Sequence, residues 1–172
     1  LNSKAKKIIK IQESELANHI GRLLQNQHAT LAIAESCTGG AASQLVVQIP
    51  GSSTYYKGSI VAYTNDVKIN LLGVKRATIA TDGPVSQQTA IEMAQQVRIL
   101  FNSQWGLAIT GVAGPDGGTL LTPLGMVWMA IAGANEYCST RLWQFHGNRL
   151  ENIRLAAFYA LKWLENILIT FS

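Results

Sequence analysis

A chain of 172 residues, 48% apolar and 14% charged, is long enough to bury a core within one domain and too apolar to be disordered. Its longest apolar stretch, around Met126 to Ala132, is too short to span a bilayer, and the N-terminus lacks the apolar region of a secretory signal, so a cytoplasmic protein with no membrane partner is expected. The net charge of +4 is concentrated in Lys4, Lys6, Lys7 and Lys10, which marks residues 1–10 as a basic tail before a single domain over 11–172; without a basic stripe interleaved with aromatics, nucleic acid is not an expected partner.

In chain order, Leu16, Ile20, Leu23 and Leu24 recur at helical spacing, and Asn26-Gln27-His28 closes that helix. Leu31-Ala32-Ile33-Ala34 reads as a buried strand feeding the turn Glu35-Ser36-Cys37-Thr38-Gly39-Gly40, and Ala42, Leu45, Val46 and Ile49 then mark a helix stopped by Pro50-Gly51. Ser59 to Tyr63 is rich in strand formers, and Thr64-Asn65-Asp66 starts a short helix over Val67 to Leu72 that Gly73 closes. Tyr63 then sits at a strand end, with Lys68 in the first turns of the next helix. Ser86 caps a helix carrying Ala90, Ala94, Val97 and Phe101, and a buried strand from Trp105 to Thr110 ends in a second glycine-rich turn, Thr110 to Gly118. Leu124 to Ala132 and Ser139 to Phe145 form a hairpin through Gly133-Ala134-Asn135-Glu136, and Ile153, Ala157, Ala160, Leu164 and Ile167 share one face of a long final helix.

Strands alternating with helices and ending in a hairpin predict a three-layer α/β/α sandwich whose mixed sheet is mostly parallel. Ligands of such sheets bind beyond the carboxyl ends of strands, where Ser36, Tyr63 and the Thr110 to Gly118 turn all fall. The first turn suits a nucleophile, because unpaired amides near Thr38, Gly39 and Gly40 would face an anion formed at Ser36. Capping of the helix by Ser36 or Thr38 accounts for the same residues equally well. Two cysteines, Cys37 and Cys138, have no metal-ligand spacing, so reduced thiols are expected and no metal.

Several of these motifs, taken in order, resemble the C-terminal domain of CinA, the nicotinamide mononucleotide deamidases also called PncC. They are Ala34-Glu35-Ser36-Cys37-Thr38-Gly39-Gly40, Pro50-Gly51-Ser52-Ser53, Tyr63-Thr64-Asn65, Lys68, Leu72-Gly73-Val74, Val85-Ser86, Thr110 to Gly118 and Pro123-Leu124-Gly125. The resemblance runs from about Ile11 to the final helix. It implies hydrolysis of the carboxamide of nicotinamide mononucleotide to nicotinate mononucleotide and ammonia, with Ser36 as nucleophile, Lys68 as base and Tyr63 assisting. Larger relatives carry an N-terminal domain similar to molybdopterin-binding proteins, so this chain is expected to be the stand-alone enzyme. It departs from the pattern at Pro84, where the family has alanine, and at Asn148, where it has aspartate; loss of that charge removes a favourable partner of a helix N-terminus.

For Lys68 to act as base it must be neutral, whereas an ordinary lysine is neutral in about one molecule in a thousand near pH 7.4. Desolvation in a crevice lowers its pKa. The substrate phosphate is assigned to Thr110 and the amides of Gly111, Ala113 and Gly114, with Arg149 as a cation and Glu35 holding Lys68 or a ribose hydroxyl. His146 is an alternative base and Cys37 an alternative nucleophile. No cofactor is required, and a homo-oligomer is expected. A non-catalytic nucleotide-binding module and a serine amidase for another small amide remain alternatives to the deamidase.

Overall fold

The computed structural model describes the backbone from Ser3 to Ser172 and the side chains from Ile11 onward. In chain order the elements are α1 (Ser3–Asn26), β1 (Leu31–Glu35), α2 (Ala41–Val47), β2 (Tyr56–Val61), α3 (Asn65–Asn70), α4 (Arg76–Thr81), α5 (Gln87–Leu100), β3 (Trp105–Gly111), β4 (Met126–Ala132), β5 (Cys138–Gln144) and α6 (Arg149–Thr170). One five-stranded sheet has the order β2-β1-β3-β4-β5. Strand β1 runs parallel to both β2 and β3, while β4 is antiparallel to β3 and to β5. All strands but β4 therefore share one direction, which is the mixed, mostly parallel sheet of an α/β/α sandwich.

The period of two along each strand divides the core into unequal halves. Leu31 and Ile33 of β1, Leu107 and Ile109 of β3, and Val127, Met129 and Ile131 of β4 form one face, covered by α1, α2 and α6. Each fully buried chain of this size contributes roughly 1.5–3 kcal/mol by leaving water. The opposite face is made of Ala32, Ala34, Ala108, Ala130 and Ala132, and α5 lies on it through Ala90, Met93, Ala94 and Val97. Small side chains on both surfaces draw α5 close to the sheet. At Gly106 the approach is close enough that an added Cβ would overlap the Ala94 carbonyl oxygen and press on Arg98 Cβ.

Several boundaries differ from the sequence reading. The basic segment over residues 1–10 was expected as a tail, but α1 reaches back to Ser3, and the side chains of residues 1–10 lie outside the described residues. Strand β2 starts at Tyr56 and ends at Val61, so Tyr63 stands past the strand. Helix α4 has no apolar stripe to announce it. Its start is held by Glu92 of α5, which accepts from Lys75 N at 2.8 Å and Thr78 Oγ1 at 2.7 Å. Among the described residues no helix is long and apolar enough to cross a membrane.

The close seating of α5 is directly testable. Gly106→Ala forces backbone apart rather than a flexible side chain, so it should cost about 2 kcal/mol or more in a urea-unfolding experiment with an unchanged m-value.

Candidate active site

The carboxyl ends of β1, β2 and β3 point the same way because those strands are parallel, and the turns leaving them surround a cavity of about 260 Å³. Ser36, Cys37, Tyr63, Gly111 to Gly114, Asp116, Gly117 and Arg149 line it. A wider groove of about 700 Å³ lies between α1 and α6, walled by Glu13, Arg154, Phe158 and Tyr159, but it does not contain Ser36.

The Ser36 turn is fixed from both neighbouring strands. Ser36 N donates to Ile109 O at 2.9 Å, and Ala62 N donates to Glu35 O at 2.7 Å. Gly39 and Gly40 take φ values of 60° and 102°, which turns the chain sharply into α2. The fully buried Glu35 carboxylate accepts from Gly40 N at 3.0 Å, Ala42 N at 3.2 Å, Ser43 N at 2.8 Å and Ser43 Oγ at 2.5 Å. It satisfies the start of α2 from inside the protein, as an N-cap side chain does from the chain itself. Glu35 therefore does not hold Lys68, and its acceptor positions leave no room for a ribose hydroxyl.

This clamp also changes which amides are open. Gly40 N is taken by Glu35, Gly39 N by Ser36 O and Ala41 N by Thr38 O. The expectation that Gly39 and Gly40 offer free amides fails because the protein's own carboxylate and carbonyls reach them first. Cys37 N and Thr38 N, one step nearer the serine, donate to no acceptor on another residue among the described residues. Thr38 is 3% exposed, its hydroxyl has no partner among the described residues, and it is absent from the cavity wall.

Lys68 arrives from α3, whose N-cap Thr64 accepts from Val67 N at 3.3 Å. Only 2% exposed, its amine donates to Ser36 Oγ at 2.9 Å and to Ala62 O at 2.9 Å. Burial pulls its pKa down from 10.5 to about 8, with the neighbouring Cys37 acting in the opposite direction. Burial likewise pushes the Cys37 thiol up to about 12, against the pull of its own amide and of the Lys68 charge. Cys37 is thus a protonated wall residue, not a poised thiolate.

The far wall is tied down by α6. Asn148 caps this helix by accepting from Glu151 N at 3.1 Å while Glu151 Oε2 accepts from Asn148 N at 3.0 Å, so asparagine keeps the capping function expected of aspartate. Arg149 donates through Nη1 to Gly114 O at 2.6 Å and through Nη2 to Tyr63 Oη at 2.7 Å. Asn152 accepts from Gly147 N at 2.9 Å and donates to Ala113 O at 3.0 Å. Sequence reasoning missed Asn152, although a polar residue inside an apolar helical stripe was the available signal. Thr110, expected at the substrate, is fully buried and donates to Pro84 O at 2.8 Å instead, tying the Gly83 to Ser86 loop to β3. His146 is exposed and does not line the cavity, and His19 pairs with Glu165 at 2.6 Å.

The family profile described as the CinA C-terminal domain matches residues 13–168. A CinA-like protein of Amoebophilus asiaticus is 51% identical over 146 residues, covering 85% of this chain and 35% of its own length, so this chain spans about a third of that relative. Among solved structures, the competence/damage inducible protein CihA from Agrobacterium tumefaciens superposes with a TM-score of 0.86 at 34% identity, over 89% of this chain and 93% of that one. The competence damage-inducible protein A from Klebsiella pneumoniae gives a TM-score of 0.89 at 29% identity, over 93% and 99% of the two chains.

Two outcomes follow from this geometry. Glu35→Gln replaces one acceptor oxygen by a donor facing backbone N–H groups, and should lose about 2 kcal/mol or more of unfolding free energy. For Lys68, between pH 8 and 10.5 the unfolded chain holds a proton that the folded chain has released, so raising pH through that window stabilises the fold. The stability of the natural chain relative to Lys68→Met should therefore climb from about pH 8 to about 10.5; a difference flat across that range would contradict the depressed pKa.

Proposed function

The chain belongs to the CinA C-terminal domain family, and from that premise we propose that its cavity hydrolyses the carboxamide of nicotinamide mononucleotide to nicotinate mononucleotide and ammonia. One observation carries the chemistry: a buried lysine amine with a pKa of about 8 lies 2.9 Å from a serine hydroxyl. At that pKa roughly one amine in five is neutral near pH 7.4, against about one in a thousand for an ordinary lysine.

With Lys68 neutral, the Ser36 O–H donates to the Nζ lone pair while one Nζ–H stays on the Ala62 carbonyl. Ser36 Oγ attacks the carboxamide carbon, its proton passes to Nζ, and the carbonyl electron pair moves onto oxygen. The amide of Cys37, which follows the nucleophile and belongs to a residue lining the cavity, is the donor for that oxyanion. Collapse breaks the C–N bond as the Lys68 ammonium returns its proton to the departing nitrogen, leaving an ester on Ser36 and releasing ammonia. Water then gives a proton to Lys68 and attacks the ester, and a second collapse restores the Ser36 hydroxyl and frees the carboxylate. Tyr63, at the cavity mouth, supports this route as a relay that gives its hydroxyl proton to the leaving nitrogen while taking the proton held by Lys68, so one proton in all is transferred. Gly111, Ala113, Gly114 and Arg149 form the wall left for the nucleotide body.

The test is ammonia release from nicotinamide mononucleotide by the purified chain. Ser36→Ala should lower kcat by about a thousandfold or more while the protein stays folded. The rate should rise with pH and level off above about 8, since Lys68 must be unprotonated to start the reaction. Binding without ammonia release would instead favour a nucleotide-sensing module, and release from other amides alone would mark a different amidase.

A further inference from the structure

The segment from Pro115 to Thr122 leaves the cavity wall and packs into neither half of the core. Its ends are held, Gly114 O by Arg149 at 2.6 Å and Leu124 O by Gln144 Nε2 at 2.6 Å. Between those anchors, residues 115–122 make no hydrogen bond to any other element among the described residues. They close only on themselves: Thr119 N donates to Thr122 O at 3.0 Å, Thr122 N donates to Thr119 Oγ1 at 3.0 Å, and the two hydroxyls lie 2.8 Å apart. The result is a compact tip whose central residues, Leu120 and Leu121, are 103% and 87% exposed, beyond every other large apolar side chain among the described residues. At its foot stand Gly114 and Gly117 with φ of 91° and 87°, where the lack of a side chain leaves the backbone free to pivot.

A single exposed leucine is ordinary, but two adjacent ones on a self-bonded tip add nothing to the folded core, because they keep the hydration they had in the unfolded chain. The cavity lacks the surface they carry. Gly111, Gly114 and Gly117 present only backbone and Tyr63 is 55% exposed, so a flat ring whose carboxamide reaches Ser36 keeps one face in water. Leu120 follows the wall residue Gly117 by three positions, about 10 Å of extended chain, which brings the tip within reach of the mouth. Resting on the amide-hydrolysis reading above, we propose that Pro115 to Thr122 is an apolar strap that folds over the cavity when an aromatic amide occupies it, so that Leu120 and Leu121 cover the exposed face of the ring. The tip moves as a unit about Gly114 and Gly117, and closure breaks no hydrogen bond to the rest of the protein. Leucine and ring surface leave water together, which is the driving force.

Chymotrypsin, which cuts after leucine, reports where the strap lies. In Ser36→Ala, which holds substrate without turning it over, saturating nicotinamide mononucleotide should slow cleavage after Leu120 and Leu121 by about tenfold or more, with the cut sites identified by mass. The double variant Leu120→Ser, Leu121→Ser should keep the melting temperature of the natural chain and raise KM for the mononucleotide by about tenfold or more, with kcat changed less than about threefold; Leu120→Met, Leu121→Met should recover most of that loss. An unchanged KM in the serine variant would overturn the strap. So would a smaller assembly for that variant by light scattering, which would set the leucines against a second copy of the chain. Calorimetric binding of the mononucleotide with no protection from chymotrypsin would remove the strap and leave the deamidase reading standing. Binding and protection without ammonia release would do the reverse, and a chain that neither binds nor hydrolyses the mononucleotide would overturn both.

Discussion

The contact between Lys68 Nζ and Ser36 Oγ is the interaction on which the rest of the site depends, because it places an amine almost without solvent beside a hydroxyl. Such burial disfavours the ammonium, and that penalty pulls the amine's pKa down to about 8. The fold tolerates it because Ala62 O accepts one N–H and the sheet supplies rigid surroundings. On the other side of the same turn sits a second buried ionisable side chain. Glu35 is held by three backbone amides and a hydroxyl, so the serine is gripped between a carboxylate that organises α2 and an amine from α3. These two groups do not pair with each other. Each does separate work on a short piece of chain.

The architecture explains why three distant segments meet there. Parallel β1, β2 and β3 deliver their following turns to one edge of the sheet, and the alanine face lets α5 lie close behind them. The wall opposite Ser36 is supplied by the last helix. Arg149 reaches Tyr63 across 86 residues of sequence, and Asn152 pins the Ala113 carbonyl of the glycine-rich turn. Helix α6 is therefore both a core element, through Ala157, Ala160 and Leu164, and one side of the candidate active site.

Much of this was legible from residue order. The apolar run of β1 and the helical stripes of α5 and α6 are set by local geometry, so they survive without tertiary information. Ser36, Tyr63 and Lys68 could be placed next to turns at a strand end or helix start, but their roles came only from the resemblance to the CinA C-terminal domain family. Helix α4 was invisible, since its stability comes from Glu92 in another helix rather than from an apolar stripe of its own. The roles of Glu35 and Thr110 were misread for the same kind of reason. A polar side chain near a site can serve ligand or backbone, and only the positions of Ser43 and Pro84 reveal which it serves.

The sequence by itself determined the α/β/α layering, the order of the elements other than α4, and the turn that carries a serine between a strand and a helix, because these follow from periodicity and from backbone freedom at glycine. Tertiary structure alone decided that Lys68 is dry, that Glu35 consumes the helix-start amides, that Cys37 remains a thiol, and that Arg149 rests on Tyr63. Each of those outcomes depends on distance and solvent exclusion between segments far apart in the chain, and electrostatic energies take their magnitude from those two quantities.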